Sequence, residues 1–330
     1  MPSLQTVVSR DVWDSFVLEH AGHPLQLWGW GAAKALHGWS VVRVLVRDDD
    51  AAGAVVGGAQ ILLRKVPGLG NFAYIPRGPV LVAGADLNRV LDVLTDHVKE
   101  SHRAFAFSIE PHATQPLGLS AGWVRAENTI LAPETVILDL TRSESELMGA
   151  MAKKTRQYIR KSGGLVEIVQ ASTLAEVEVC LDLYQETADR AGFNIHTREY
   201  YLDVYRELAE HAPLYMAMVE GAPVAFLWLA VSNAVSYELY GGMNEVGQHT
   251  RANYALKWHA ITATKAMGLS EYDFGGMIEG GVSTFKKGWC EDVTHLVGTF
   301  DRPLSPLYPL WSKGVPLAQR TLRRLRGAHQ

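Results

Sequence analysis

The sequence predicts an α/β protein made of two similar domains, each with a mixed sheet. Its 330 residues are enough for two domains of the usual ~100 to 200 residues. Helix pairs alternate with β-hairpins instead of following strict βαβα order, which favours a mixed sheet over a doubly wound one. The same succession of two helices and a hairpin occurs in both halves, so two copies of one unit are expected.

In the first half we predict two helices, a hairpin, a third helix and two further strands. Trp13 and Phe16 have helical spacing, and Gly38 is placed to end the second helix. The other elements follow from hydrophobic periods of 2 or 3.6 residues. They are the hairpin strands at 39–46 and 54–63, a helix at 86–101, and strands at 104–111 and 135–140.

The second half begins with a capping-box pattern. Ser143 is followed three residues later by Glu146, which predicts one helix running through a basic stretch to Gly163. Periodicity and turn residues predict the rest of this half. The expected helices are 173–191, 198–211 and 252–267, and the expected strands are 214–220, 224–231, 235–241, 270–276 and 294–300.

Several functional classes are disfavoured by what the sequence lacks. Cys180 and Cys290 form no CxxC pair, so neither a disulfide framework nor a zinc site is expected. The twelve histidines are scattered, which disfavours a Ser-His-Asp or Cys-His arrangement. No GxGxxG follows a strand, and the P-loop pattern is missing. With no signal peptide and no apolar run of about 20 residues, the sequence predicts a cytoplasmic protein.

Two zones are basic although the formal net charge is only -4. Either zone could bind phosphate groups, or each could be a helix face exposed to solvent. The first zone has five cations and no acid between Glu146 and Glu167, and the second follows Asp301. Their basic residues are Lys153, Lys154, Arg156, Arg160 and Lys161, then Arg302, Lys313, Arg320, Arg323, Arg324 and Arg326.

Four segments combine glycine, an aromatic residue and a cation, as a site does where backbone approaches a ligand. They are residues 28–34 (WGWGAAK), 74–80 (YIPRGPV), 190–201 (RAGFNIHTREYY) and 273–289 (DFGGMIEGGVSTFKKGW). Together and in this order, these segments resemble the Fem family (FemA, FemB and FemX) of peptidoglycan-bridge aminoacyltransferases. The YIPRGP, YDFGG and FKKG strings carry most of the resemblance, which extends over nearly the whole chain.

The resemblance implies two tandem domains of the acetyltransferase (GNAT) fold. It places residues 1–142 in the first domain and 143–300 in the second, with the segment 301–330 returning to the first. FemA and FemB carry a long coiled-coil arm in the second half. Sustained heptads of that length are missing here, so the chain is most similar to the compact FemX type.

The reaction implied by the resemblance is attack of an amine on the ester that joins an amino acid to tRNA. It passes through a tetrahedral intermediate that needs a nearby cation. In FemX-like enzymes this cation is the lysine after phenylalanine in FKKG, which corresponds to Lys286 beside Phe285. Taken alone, Lys286 and Lys287 fit a solvated turn. Asp273 and Glu279 could orient the lysine, or be a strand-end acid and a loop acid.

The resemblance also implies residues for the diphosphate of the acceptor. Lys34 and Arg198 would bind phosphate, while Tyr201 and Tyr240, chosen over Tyr237, would donate phenol hydrogen bonds. Two further residues, Tyr74 and Arg77, would shape the floor of the substrate cleft. Alternatively, the YIPRGP string that contains them is only a rigid crossover between the domains.

The partners implied are aminoacyl-tRNA and a peptidoglycan precursor that is either nucleotide-linked (UDP-MurNAc-peptide) or lipid-linked. No cofactor is expected. The chain is expected to be a monomer that can contact the membrane peripherally. Three alternatives stay open. The donor could be acetyl-CoA, although RKSGGL at 160–165 departs from the pyrophosphate-binding signature of acetyltransferases and enters a strand. The acceptor could be an antibiotic precursor. The chain could also bind tRNA without catalysis.

Overall fold

A computed structural model describes residues 3–48, 53–126, 129–277 and 285–314. In chain order, the described strands are β1 (Ser3–Thr6), β2 (Ser40–Asp48), β3 (Ala54–Val66), β4 (Gly70–Pro76), β5 (Val80–Leu81), β6 (Ala104–Glu110), β7 (Val124–Arg125), β8 (Glu134–Thr135), β9 (Ile137–Asp139), β10 (Glu167–Gln170), β11 (Leu214–Val219), β12 (Ala222–Val231), β13 (Val235–Met243), β14 (Glu271–Asp273), β15 (Thr294–His295) and β16 (Phe300–Pro303).

The α-helices in the same part of the chain alternate with these strands. They are α1 (Arg10–Glu19), α2 (Trp28–Leu36), α3 (Leu87–Glu100), α4 (Glu144–Ala150), α5 (Lys153–Gly163), α6 (Leu174–Ala191), α7 (Arg198–Leu208), α8 (Glu245–Thr250) and α9 (Ala252–Ala266). Short 3-10 turns occupy Pro24–Gln26 and Ala209–His211.

The chain divides into two compact units. The first comprises Met1–Trp13, Gly38–Pro133 and Leu296–Gln330, and the second comprises Asp14–His37 and Glu134–His295, each taken over its described residues. This division differs from the predicted boundary at residue 142 chiefly in Asp14–His37, which the prediction places in the first domain. The segment groups with the second unit because α2 packs along α7.

In the first unit a mixed sheet has the order β1-β2-β3-β4-β6-β16-β7 in the described part, with β5 paired to β3. The predicted hairpin is present as β2 and β3, with Val44 opposite Ala59. β4 and β6 are parallel, and β16 adds antiparallel to β6. Helix α3, capped by Asp86, contributes Val90, Leu91 and Leu94 to the core of this sheet.

The second unit has its own mixed sheet, with the order β10-β11-β12-β13-β14-β9 among described strands. β13 and β14 are parallel, and the other pairs are antiparallel. Residues of β11, β12 and α9 form its core with the fully buried Trp289. The two mixed sheets with helices packed on them confirm the predicted α/β class.

The single helix predicted from Ser143 to Gly163 is wrong in one respect. The capping box is present, but the chain leaves the helix at Met151, whose ψ is 152°, and α5 starts afresh after Ala152. Met151 is buried, and the amide of Ala152 donates to the carbonyl of Gly288 at 3.0 Å. Tertiary contacts therefore override the local helical preference.

The described helices are all short or moderate in length. The longest is α6, with 18 residues, so this part of the chain contains no coiled-coil arm. None of the helices in the described residues is both long and apolar enough to cross a membrane.

Candidate functional site

Helices α2 and α7 of the second unit pack so closely that only glycine fits at one point. A Cβ atom on Gly29 would lie 2.1 Å from the carbonyl oxygen of Glu207, near the end of α7. Further along α2, Lys34 meets Tyr200 in the first turn of α7. The two helices are thus antiparallel, and the glycine of the WGWGAAK segment permits the approach that positions Lys34.

The ammonium of Lys34 is held by aromatic side chains. Its Nζ donates to the hydroxyl of Tyr200 at 2.6 Å and lies 4.4 Å from the ring centroid of Trp30. The imidazole of His196 lies 4.2 Å from the Tyr200 ring. Burial, and then the charge of Lys34, lower the pKa of His196. Cation–π attraction to the rings of Trp30 and Tyr200 helps to hold the ammonium of Lys34 in this position.

Four tyrosines from α6, α7 and β13 pack together beside Lys34. The ring centroids of Tyr201 and Tyr240 are 4.8 Å apart, those of Tyr184 and Tyr201 are 5.5 Å apart, and the hydroxyl of Tyr240 lies 3.5 Å from that of Tyr200. Burial raises the pKa of Tyr200 to about 12 and also raises those of the other three. All four hydroxyls thus stay protonated at neutral pH and can act as donors.

The structure distinguishes the two tyrosines of β13 that the sequence offered. Tyr240 belongs to the tyrosine cluster, whereas the ring of Tyr237 packs edge to face on His23 at 5.0 Å. A β-bulge lies between them: Leu229 pairs with Glu238 and Trp228 with Tyr240, so Leu239 is the extra residue. Bulges of this kind redirect side chains beside functional sites.

Lys286 lies in the same unit, and its side chain is buried at 8% exposure. Its Nζ donates to the carbonyls of Phe274, Gly275 and Gly276, of which the last is at 2.9 Å. The solvated turn considered for Lys286 fits only its neighbour Lys287, which is exposed. Burial lowers the pKa of Lys286 to about 8, so most of the side chain is still cationic at neutral pH.

A second buried lysine adjoins this position. Lys257 of α9 forms an ion pair with Glu238, with Nζ–Oε distances of 2.6 and 2.7 Å, and Tyr272 donates to the same carboxylate at 2.8 Å. The Nζ atom of Lys257 lies 5.2 Å from the ring centroid of Phe285. Burial lowers the pKa of Lys257, while Glu238 opposes the shift. Glu238 also raises, and Lys257 lowers, the pKa of Lys286.

Strand β13 joins the two groups of residues. Glu238 pairs with Lys257, and Tyr240 belongs to the tyrosine cluster. Because Leu239 is a bulge residue, Glu238 lies opposite Leu229 and Tyr240 opposite Trp228, so the two side chains point to opposite faces of the sheet. The cation among phenols can bind an anion, and the cation among backbone carbonyls can stabilise a developing oxyanion.

Of the two acids considered as partners of Lys286, the structure describes only Asp273. Asp273 is buried and accepts hydrogen bonds from Thr135 and from the amide of Gly275, so it holds the YDFGG turn. Its charge raises the pKa of Lys286. Glu279 lies outside the described residues.

The predicted phosphate ligand Arg198 is engaged elsewhere in this structure. Its guanidinium contacts the carboxylate of Asp182 and donates to the carbonyl of Glu178 at 2.9 Å, both on α6. Within the described residues, none of its polar contacts is with Lys34, Tyr201 or Tyr240. Its side chain is 46% exposed, so binding a phosphate would require release from a surface ion pair of small energy.

Tyr74 and Arg77 lie in the first unit. Tyr74 is buried and donates to Glu110. Arg77 is 4% exposed, has a positive φ of 51°, and donates to the carbonyl of Ala132 at 3.3 Å, while its Nε has no partner among the described residues. A buried guanidinium with an unused donor suits an anion. Their roles stay predictions.

The first basic zone forms the outer face of α5. Lys153, Lys154, Arg160 and Lys161 are exposed, and in the described part of the chain none of them forms an ion pair. Arg156 instead caps the carbonyl ends of α4. The second zone is described only as far as Lys313, so its four later arginines lie outside the described residues.

A chain of aromatic contacts links α5 to Lys286. The guanidinium of Arg251 lies 3.7 Å from the ring centroid of Tyr158 on α5, whose ring packs on Tyr254 at 5.0 Å. Tyr254 in turn contacts Phe285 at 5.0 Å. A Cβ on Gly288 would lie 2.6 Å from Thr155 Oγ1, so the start of α5 is closely packed on the turn that carries Lys286.

Sequence reasoning missed several residues of this arrangement. Tyr200, Lys257, Glu238 and Tyr272 were not singled out, although Tyr200 and Tyr272 lie inside recognised strings. An acid in β13 and a lysine on the buried face of α9 were available as signals. Charged residues at positions whose period predicts burial are expected to pair.

The comparisons with known proteins agree with this architecture. The profile of the Acetyltransferase (GNAT) domain family matches residues 149–287. A lipid II:glycine glycyltransferase of Staphylococcus aureus (strain USA300) is 23% identical over 405 aligned residues, which span 92% of this chain and 94% of the relative. The crystal structure of FemX has a TM-score of 0.82 at 21% identity and covers 94% of this chain and 100% of that one.

A tandem GNAT protein from the clavulanic acid biosynthesis pathway also has a similar fold, with a TM-score of 0.54 at 12% identity, covering 93% of this chain and 99% of that one. These findings confirm the tandem acetyltransferase-like fold and the resemblance to the Fem family. The similarity to the glycyltransferase spans 92% of the chain, and the similarity to the FemX structure spans 94%.

Proposed function

We propose that this protein transfers an amino acid from aminoacyl-tRNA to an amine of a peptidoglycan precursor during interpeptide bridge formation. The observation that carries the proposal is the buried, three-coordinate ammonium of Lys286, which lies in the unit that also contains Lys34 and the tyrosine cluster. Similarity to a lipid II:glycine glycyltransferase supports this substrate class and makes the lipid-linked precursor the first acceptor to test.

In the proposed reaction the acceptor amine forms a C–N bond to the carbonyl carbon of the aminoacyl ester. The C–O bond to the ribose then breaks, and the proton lost by the amine ends on the ribose oxygen. No covalent intermediate with the protein is needed, and Cys180 is a poor nucleophile because burial raises its thiol pKa to about 12. Binding in the right geometry and charge stabilisation supply the catalysis.

The role of Lys286 is to stabilise the negative oxygen of the tetrahedral intermediate. An ammonium has three N–H donors, and in this structure the three carbonyls of residues 274–276 accept from them. To donate to the oxyanion, Lys286 must exchange one of these contacts, and the 2.9 Å contact with Gly276 is the longest. The other two carbonyls keep the charge in place during the exchange.

We assign the acceptor diphosphate to Lys34, with hydroxyl donors from Tyr200, Tyr201 and Tyr240. The aromatic rings around Lys34 hold its ammonium in place before the ligand binds, so little side-chain entropy is lost on binding. These contacts lie on a part of the acceptor that does not react, so they contribute to its binding in ground state and transition state alike.

The function and the role of Lys34 can be tested together. Labelled amino acids on a total charged-tRNA pool are incubated with the protein and either the nucleotide-linked or the lipid-linked precursor. We expect label on one precursor and, for Lys34→Gln, a KM for that precursor raised about 10- to 100-fold, with kcat little changed, because one charge-assisted hydrogen bond is worth ~1.5–3 kcal/mol. Lys34→Arg should recover part of the loss.

Acetyl-CoA is the donor control in this assay. Transfer of acetyl from acetyl-CoA, with no label moved from charged tRNA, would replace the proposal by the acetyltransferase alternative. Transfer to neither precursor from active charged tRNA would contradict it as well. An unchanged KM in Lys34→Gln would leave the activity established and remove Lys34 from acceptor binding.

The donor RNA is assigned to α5. The exposed cations of this helix can neutralise phosphates, and Tyr158, Tyr254 and Phe285 continue from it towards Lys286. A basic surface followed by aromatic rings is how proteins hold single-stranded nucleic acid. We expect the triple variant Lys153→Gln/Arg160→Gln/Lys161→Gln to bind charged tRNA more weakly and to lower the slope of log affinity against log salt by about one per lost phosphate contact.

The matched control for this variant neutralises three exposed cations outside both basic zones: Lys99→Gln/Arg103→Gln/Arg142→Gln. It should keep the affinity and the salt slope of the unchanged protein. Equal losses in both triple variants would show that net charge alone, and not the α5 surface, governs RNA binding.

A further inference from the structure

A cavity of about 530 Å³ lies in the first unit, among residues to which the proposed transfer assigns no role. Its walls include four aromatic side chains, and the centroids of two of them, Phe72 and Trp311, are 5.0 Å apart. The other two are Trp39 and Tyr308. This volume is in the range of small-molecule sites, which are mostly apolar with a few placed polar groups.

The polar groups of the cavity come from two neighbouring strands. Ser108 of β6 pairs directly with Asp301 of β16, and both line the cavity. Thr299, two residues before Asp301, lines it as well. The strand register therefore places a hydroxyl and a carboxylate side by side in an aromatic enclosure.

Asp301 is a buried acid whose charge is not neutralised. It is 5% exposed and accepts from Ser108 Oγ and from Tyr308 Oη, the latter at 2.8 Å. In the described residues it forms no ion pair. Burial is the main reason that its pKa is raised. A carboxylate can accept about four hydrogen bonds, so about two acceptor positions stay unused.

The neighbouring acid does not relieve this charge. Glu110 is also buried, and its oxygens accept from Tyr74, from Thr299 at 2.6 Å and from the amide of Ile130 at 2.8 Å. Glu110 is thus well satisfied by its own donors, and its charge raises the pKa of Asp301 further. The polar end of the cavity is consequently anionic, with spare acceptors on Asp301.

We propose that this cavity binds a small organic cation, with an ammonium or amidinium group on Asp301 and an apolar or aromatic body against the walls formed by Trp39, Phe72 and Trp311. A cationic group would supply the missing charge and donors, and aromatic faces attract cations. Arg64 and Lys65, exposed residues that also line the cavity, select against a second positive group at the outer end of the ligand.

The charge preference can be tested with two probes of the same shape. Phenethylamine and 3-phenylpropionate share a phenyl ring and a two-carbon spacer but carry opposite charges. By titration calorimetry on the full chain we expect phenethylamine to bind at one site and 3-phenylpropionate not to bind. Asp301→Asn should weaken phenethylamine binding at least about tenfold, since ~1.4 kcal/mol corresponds to that factor.

Two further variants keep the test decisive. Trp311→Leu removes an aromatic wall and should also weaken phenethylamine at least severalfold, even if Asp301→Asn does not fold. Asp92→Asn, at an exposed position of α3, should change nothing. Equal binding of the two probes, preference for 3-phenylpropionate, or full affinity in folded Asp301→Asn or Trp311→Leu would each overturn the proposal.

Discussion

Replacing Lys286 with methionine is expected to lower kcat about 10²- to 10³-fold, the usual cost of losing one oxyanion donor. Methionine keeps most of the side-chain length but has neither the charge nor the three donors. The adjacent Lys287→Met is the matched control, because it removes the same charge from the next residue, which is exposed. It should retain nearly full kcat.

The transfer assay with saturating precursor measures this effect, and urea unfolding reports whether each variant stays folded. A folded Lys286→Met variant within about tenfold of the unchanged protein would reduce Lys286 to a structural tie of the YDFGG turn, since an oxyanion donor is worth more than that. Equal losses in the two methionine variants would point to a general disturbance of residues 285–289.

The pH dependence separates catalysis from stability by its sign. In the proposed mechanism the cationic form of Lys286 stabilises the oxyanion, so kcat should fall as pH rises through the pKa of about 8. Between about pH 8 and the ordinary lysine pKa of about 10.4, the unfolded chain binds more protons at this residue than the folded chain does. The contribution of Lys286 to stability therefore increases with pH in the window where activity is lost, and Lys286→Met should lack that increase.

The longer helices and the hairpin strands could be predicted because they depend on local periods and caps, whereas the predicted strand at 294–300 is two short strands, β15 and β16, in different sheets. The hairpin β2–β3, the helix after Asp86 and the capping box at Ser143 all follow from neighbouring residues. The break between α4 and α5 could not be predicted, since it depends on burial of Met151 and on a contact with Gly288.

The sequence motifs of the candidate site could be predicted, but the contacts among their side chains could not. The FKKG string identified Lys286 through resemblance, but its burial depends on three carbonyls 10 to 12 residues earlier in the chain. In the same way, the partner of Lys34 is 166 residues away, on a helix brought near by the small size of Gly29. Such long-range contacts have no local pattern from which they could be read.

The pair formed by Lys257 and Glu238 should be the most costly ion pair to break among those described. Both side chains are less than 10% exposed. Lys257→Met leaves the carboxylate buried with Tyr272 as its remaining donor, and Glu238→Gln leaves the ammonium without a counter-charge. Removing one partner of a buried pair costs about 3–5 kcal/mol of unfolding free energy. Glu186→Gln, in an exposed pair with Arg190, should cost less than about 1 kcal/mol.

A double-mutant cycle measured by urea unfolding tests the pair directly. The variant Lys257→Met/Glu238→Gln removes both charges of the pair, so it should be clearly more stable than the sum of the two single losses predicts. Additive losses would mean that the two groups do not interact, contrary to their 2.6 Å separation.

The same variants should move the alkaline limb of activity in opposite directions. Glu238 raises the pKa of Lys286 and Lys257 lowers it. Glu238→Gln should therefore shift the loss of kcat to lower pH, and Lys257→Met should shift it to higher pH, whatever each does to stability. A purely structural pair would change the unfolding free energy and leave the pH profile in place. Opposite shifts would show that this buried pair sets the protonation range in which Lys286 acts.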